Sequence, residues 1–178
     1  KIHTFTGPGT FTVSSVSGTA AENTVGYLVV GGGGGGQSTR GGGGGAGGFR
    51  EGRNVPVDNF TASPLVADAP TNAVTVTAQA YPITVGAGGV GGSQSPAVVS
   101  TSGSNSIFST ITSTGGGRGG GPEGGGSLQG GAGGSGGGSY NPGTAVGPGN
   151  NPPVSPAQGN DGGSGAGAPK YGAGGGGG

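Results

Sequence analysis

The residues that could do chemistry are few and scattered. His3 is the single imidazole, and the six carboxylates are Glu22, Glu51, Asp58, Asp68, Glu123 and Asp161. No two acids stand close enough in sequence to mark a carboxylate pair for acid–base work. A Ser-His-Asp triad would have to be built around a histidine in an N-terminal strand. No Gly-x-Ser-x-Gly elbow lies between a strand and a helix to supply the nucleophile. Gly86-Ala87-Gly88-Gly89-Val90-Gly91 matches the spacing of a dinucleotide fingerprint after a strand. That motif needs a helix N-terminus behind it for the pyrophosphate, and Gly92-Ser93-Gln94-Ser95-Pro96 starts none. Gly159-Asn160-Asp161-Gly162-Gly163 is one copy of a glycine–aspartate turn, whereas calcium-binding β-helices need several at a fixed period. No catalytic residue, metal site or cofactor is therefore expected.

Composition explains why chemistry is scarce. Of 178 residues, 54 are Gly, about four times the ordinary share. Hydrophobic residues make up 28% and charged residues 7%, and the formal net charge is zero. Burial of apolar surface cannot order such a chain by itself. With no basic surface, nucleic acid is an unexpected partner. With no Cys, there are no disulfides or thiolate metal sites. No apolar run reaches the roughly 20 residues of a membrane-spanning helix. The chain opens at Lys1 without Met and stops within a glycine run, which reads as a processed piece or the ordered part of a longer chain.

Two textures alternate along the chain. Short β-like segments are one. Ile2–Phe5 and Thr10–Val16 alternate around Gly7-Pro8-Gly9 and predict a hairpin. Tyr27–Val30 is apolar throughout and predicts a strand buried on both faces. Ala73–Ala80 with Tyr81–Val85 predicts the longest strand region, with Pro82 at an edge or a break. Ser106–Ile111 predicts the last strand. No window carries helical spacing. The other texture is glycine: 31–36, 41–48, 86–92, 115–121, 124–126, 130–138 and 162–178. Several runs leave directly from a strand, as Gly31 does from Val30, which flexible Gly/Ser linkers have no need to do.

The expected fold class is all-β plus polyglycine II, with a small β-sheet portion and packed left-handed glycine helices. In this form, three residues make a turn with no internal hydrogen bond, so helices packed side by side satisfy one another's backbone groups. Gly41–Gly48 and Gly130–Gly138 would each span roughly 25–28 Å at about 3.1 Å per residue. Residues 1–121 read as strands interleaved with glycine runs. Residues 122–178 read as a glycine/proline-rich continuation of the same unit, with an exposed loop at 139–161. Residues 54–72 and 93–105 are further exposed loops.

The segments Phe5–Val13, Tyr27–Val30 into Gly31–Gly36, Gly41–Gly52, Tyr81–Gly89 and Ser106–Phe108 before Gly115 give the chain its order and spacing. In that order it resembles the glycine-rich domain of bacteriophage tail fibres and tail-tip adhesins over residues 1 to about 121. The resemblance implies a virion or extracellular protein with a small β portion and layered polyglycine helices, whose variable loops at one end contact the host surface. The expected partners are further copies of the chain, as a trimer or a filament, and a host-surface protein or glycan. Residues 139–161 have no counterpart in it, and no receptor residue carries over. Exposed aromatic and bulky loop residues are the usual recognition anchors, which selects Phe60, Leu65, Tyr140 and Pro142 as receptor-binding candidates. The alternative function is the repeating subunit of an extracellular filament or sheath. A third is ice binding by a flat glycine face.

Overall fold

The computed structural model describes all residues except 55–57, 67–72, 124–125, 167–171 and 178. Asp68 and parts of the expected loop 54–72 and of the runs 124–126 and 162–178 lie outside the described residues. The fold is all-β: small antiparallel sheets, with no α-helix among the described residues and one short 3-10 turn at Ala20–Glu22.

Twelve strands are β1 (Gly9–Thr12), β2 (Thr24–Val25), β3 (Tyr27–Val30), β4 (Phe49–Gly52), β5 (Val74–Thr75), β6 (Ala80–Thr84), β7 (Ser93–Gln94), β8 (Ala97–Val98), β9 (Ser106–Phe108), β10 (Ile111–Ser113), β11 (Gly121–Glu123) and β12 (Gly126–Leu128). The largest sheet runs β1-β6-β9-β10, and the others are the pairs β2-β5, β3-β4, β7-β8 and β11-β12. Its core is small: Val74, Val76, Tyr81 and Phe108 are buried, with Phe11, Val13, Val25, Tyr27, Val29, Ile83 and Ile111 packed around them. Phe108 is the hub, edge-on to Phe11 at 6.0 Å, Tyr81 at 6.2 Å and Tyr27 at 6.5 Å between ring centres.

Four local expectations are corrected. The N-terminal hairpin does not form; β1 pairs instead with β6, placing Phe11 opposite Tyr81. Phe11 gains a buried aromatic neighbour there, which Ile2–Phe5 could not offer. Tyr27–Val30 is covered on one face only. Tyr27 and Val29 pack on the core, while Leu28 is 61% and Val30 49% exposed. Ser106–Ile111 is not one strand: the chain turns at Ser109, φ 53°, and returns as β10. Pro82 sits inside β6 opposite Thr10, at the point before β9 begins its pairing at Ile83, so its missing N–H interrupts no β9 bond.

The glycine runs lie against these sheets and bond to one another mainly through backbone groups. Gly31, Gly34 and Gln37 donate to Gly48, Gly45 and Gly42, so 31–37 and 42–48 are antiparallel and advance in steps of three. Gly32 and Gly35 donate to Ser104 and Thr101, again three apart. Gly33 and Gly36 accept from Gly89 and Gly92, and Gly32 and Gly35 accept from Gly116 and Gly119, so 86–92 and 115–121 run parallel to 31–36. Successive residues thus bond in different directions, and each direction recurs every third residue.

The space around each Cα follows the same count. A Cβ at Gly31, Gly32, Gly34 or Gly35 would collide with a neighbouring backbone, whereas at Gly33 its nearest atom is Gly45 O at 3.9 Å. Gly86 and Gly89 are closed by the backbone of residues 104 and 101, while the residue after each, Ala87 and Val90, is exposed. Ala46, the one residue of its run with a Cβ, is exposed.

Residues 122–178 continue the packing, with two departures from expectation. Gly130–Gly138 is not one rod: Gly137 donates to Gly131 O, and the chain bends at 133–135. Nor is 139–161 exposed throughout. Gly147 and Gly159 are buried, and Ser139 and Gln158 have no exposed surface. Gly147 and Gly162 bond to Gly137 and Gly147 in turn, making this stretch part of the packed unit.

Candidate functional site

The register of the runs sorts every connection to one of two ends. Runs 31–36, 86–92 and 115–121 all leave the sheets in the same direction. The turn 37–40, the hairpin β7–β8 and the hairpin β11–β12 therefore gather at one end. Gly120 donates to Gly138 O and Gly172 to Tyr140 O, which brings 139–144 to that end as well. Strands β1–β6, β9 and β10, residues 53–54 and 58–66, and residues 150–157 lie at the other.

This divides the four candidate binding residues. Tyr140, half-buried, and Pro142, exposed, belong to the loop end. Phe60, 42% exposed, and Leu65 belong to the strand end. There Arg53 Nη1 donates to Phe60 O at 3.1 Å. Leu65 borders a shallow apolar cavity of about 380 Å³ with Phe49, Ser63, Pro64 and Asn160. The four do not form one surface.

The loop end is held by side chains that substitute for a missing backbone neighbour. Gln37 Oε1 accepts from Ser100 N–H at 2.8 Å, and Ser100 Oγ donates to Gly119 O at 2.9 Å. The Gln37 side chain fills the space beside Gly92 and Gly121. Thr39 and Arg40 take left-handed backbone conformations, φ 51° and 65°, an uncommon state for residues with a Cβ. Between this turn and β7–β8 is an open cavity of about 260 Å³, walled by Ser38, Thr39, Ser93, Gln94 and Val98, with Pro122 beside them. None of the described lining side chains is charged. Sequence reading passed over this set. The available signal was Gln37-Ser38-Thr39-Arg40, which interrupts the glycine runs 31–36 and 41–48.

The other sequence motifs resolve into structure. Gly86–Gly91 packs against neighbouring runs and is followed by β7, not by a helix. The His3 ring lies edge-on to Phe11 at 5.3 Å. Asp161 Oδ1 accepts from Gly149 N–H at 2.7 Å, closing a turn between two runs. Arg118 stands within a central glycine run with Nη1 buried and without a hydrogen-bond partner. Among the described residues, no three His, Asp or Glu side chains cluster as metal ligands do.

The family model for a glycine-rich domain matches residues 5–178. The chain belongs to this glycine-rich domain family. The match extends well past residue 121 and takes in the 122–178 portion that packs with the rest. Neither the curated proteins nor the solved structures contain a match to this glycine-rich domain.

Proposed function

We propose that this glycine-rich domain is a structural adhesin unit of a virion fibre or tail tip, in which the glycine runs are polyglycine II helices. On this reading they form a rigid platform that presents the loop end to a component of the host surface. The repeat of three in hydrogen bonds and in side-chain clearance supports the helical reading. One observation carries the functional reading: separate connections, 37–40, β7–β8, β11–β12 and 139–144, converge at one end of a backbone-bonded platform. Variable connections on a fixed scaffold are the usual arrangement of recognition surfaces.

The test is adsorption of the particle that carries the chain. Ala97→Arg places a long charged side chain at the mouth of the loop end without entering the glycine packing. Adsorption should fall at least about tenfold, or about 1.4 kcal/mol of binding free energy. Unchanged adsorption would remove the loop end from attachment.

A second reading, the repeating subunit of an extracellular filament, draws on the opposite end. β3 pairs only with β4 among the described strands and exposes Leu28 and Val30. An apolar strand with an unpaired edge is a template for pairing with another copy. Uniform polymers of purified chain in electron micrographs, lost in Leu28→Lys, would favour this reading.

A further inference from the structure

We infer that the cavity between the turn 37–40 and the hairpin β7–β8 is a subsite for one uncharged sugar ring of a surface glycan. The inference deepens the attachment reading above and rests on it for its biological context. It starts from unused hydrogen-bonding capacity. The side chains of Ser38, Thr39, Ser93 and Gln94 surround one cavity, and none of them bonds to another described residue. Elsewhere the buried serines spend their hydroxyls inward: Ser100 on Gly119 O, Ser113 on Gly48 O and Ser135 on Gly177 O. Ser38 and Ser93 are half-buried and Thr39 and Gln94 exposed, so their donors and acceptors face solvent and are open to a ligand.

Charge and size then narrow the ligand. None of the described lining side chains carries a charge to pair with a phosphate, carboxylate or ammonium, so a charged group that left water to enter the cavity would go uncompensated. A purely apolar group would leave the hydroxyls and the amide without partners, at about 1–3 kcal/mol each where they become buried. A pyranose satisfies both walls, with hydroxyls toward Ser38, Thr39 and Gln94 and its C–H face against Val98 and Pro122. At about 260 Å³ the cavity falls below the ~300–1,000 Å³ of pockets for larger ligands, so it takes one ring and leaves the rest of the glycan outside. An extended peptide fits less well, because β7 and β8 are two residues each and offer too short an edge for strand addition.

The walls are pre-set. Gln37 is tied to Ser100 N–H, and the runs behind both loops are cross-bonded through backbone. Little ordering is left to oppose binding. A single ring bound this way has a dissociation constant on the order of 1 mM, lowered in effect by several copies on one particle.

The experiment is a titration of amide chemical shifts in the full chain with methyl glycosides of glucose, galactose, mannose and N-acetylglucosamine. N-acetylneuraminic acid and a Gly-Ser peptide serve as comparison probes. At least one neutral glycoside should shift the amides of residues 37–39, 93–95 and 97–99 saturably, and Ser38→Ala with Thr39→Ala should weaken it at least about fivefold. The inference fails if no neutral glycoside perturbs those amides, or if the acidic sugar or the peptide binds there as well or better. Ala97→Arg separates the two levels. If it abolishes adsorption while no neutral glycoside binds, the attachment reading stands and the sugar subsite falls. If a neutral glycoside binds but adsorption survives Ala97→Arg, the subsite stands and the attachment reading falls.

Discussion

Gln158 Oε1 accepts a hydrogen bond from the Thr114 N–H at 2.9 Å, with the Gln158 side chain fully buried. Its Nε2 donates to Pro152 O at 3.1 Å. A side-chain amide here stands in for the next peptide of a glycine run, at the level where the runs meet the strands. Gln158→Ala should leave Thr114 N–H and Pro152 O unsatisfied and open a cavity, lowering stability by about 2–4 kcal/mol. A shift in denaturant midpoint at constant slope measures it, and a change below about 0.5 kcal/mol would show that water replaces the amide without loss.

Phe108 should be the most sensitive apolar position. It is 7% exposed and touches three aromatic rings, on β1, β3 and β6. Phe108→Ala should cost about 3–5 kcal/mol. Leu28→Ala, on the outward face of β3, should stay within about 0.5 kcal/mol. Comparable losses at the two sites, by thermal or chemical unfolding, would mean that β3 is covered on both sides in solution.

Glycine placement was legible in the sequence because pure runs launched from strands have few other uses. Strand existence at Thr10–Thr12, Tyr27–Val30 and Ser106–Phe108 was legible from apolar patterning. Strand partners were not. Alternation shows that Phe11 has an inner face, but not that Tyr81 lies across from it. β4 escaped notice because Phe49 is its only apolar residue, and its place is set by pairing with β3. The bend at 133–135 left no mark in a run where every residue is small. The loop end was half legible: Tyr140 and Pro142 lie there, but bulk alone could not separate them from Phe60 and Leu65. That separation depends on run direction, which only the hydrogen-bond register reveals.

Alkaline stability should report on Tyr27. Burial raises its pKa above the ordinary 10.0, and the nearby Arg50 charge opposes the shift only in part. Between about pH 10 and its higher folded value, the folded state keeps a proton that the unfolded state has lost. Stability therefore falls as pH rises through that window and is unaffected below it. Tyr27→Phe should flatten this part of the profile. Tyr81, lowered by its hydrogen bonds with Thr77, works in the opposite direction, but it is common to both proteins and cancels in their difference. Urea unfolding of the two proteins from pH 8 to 11 makes the comparison, and parallel profiles would place the Tyr27 hydroxyl in water.

The three-residue repeat makes the sharpest prediction, because it assigns opposite outcomes to chemically identical substitutions. A Cβ at Gly136 would overlap the carbonyl of Gly147, and one at Gly45 would overlap the carbonyl of Ser135. Both obstacles are backbone, so no side chain can rotate away. At Gly33 and Gly88 the nearest atoms to such a Cβ lie at 3.9 and 3.8 Å, an ordinary contact. Neither residue has a left-handed φ that would penalise alanine. Gly45→Ala and Gly136→Ala should each cost more than about 4 kcal/mol, enough to unfold a marginal domain. Gly33→Ala and Gly88→Ala should be neutral or stabilising by about 0.4–1 kcal/mol, since alanine restricts the unfolded chain more than glycine does. Thermal unfolding of the four variants decides the matter. A uniform small loss at all four would mean loosely associated runs, whereas a split that follows position would establish close backbone packing with a period of three.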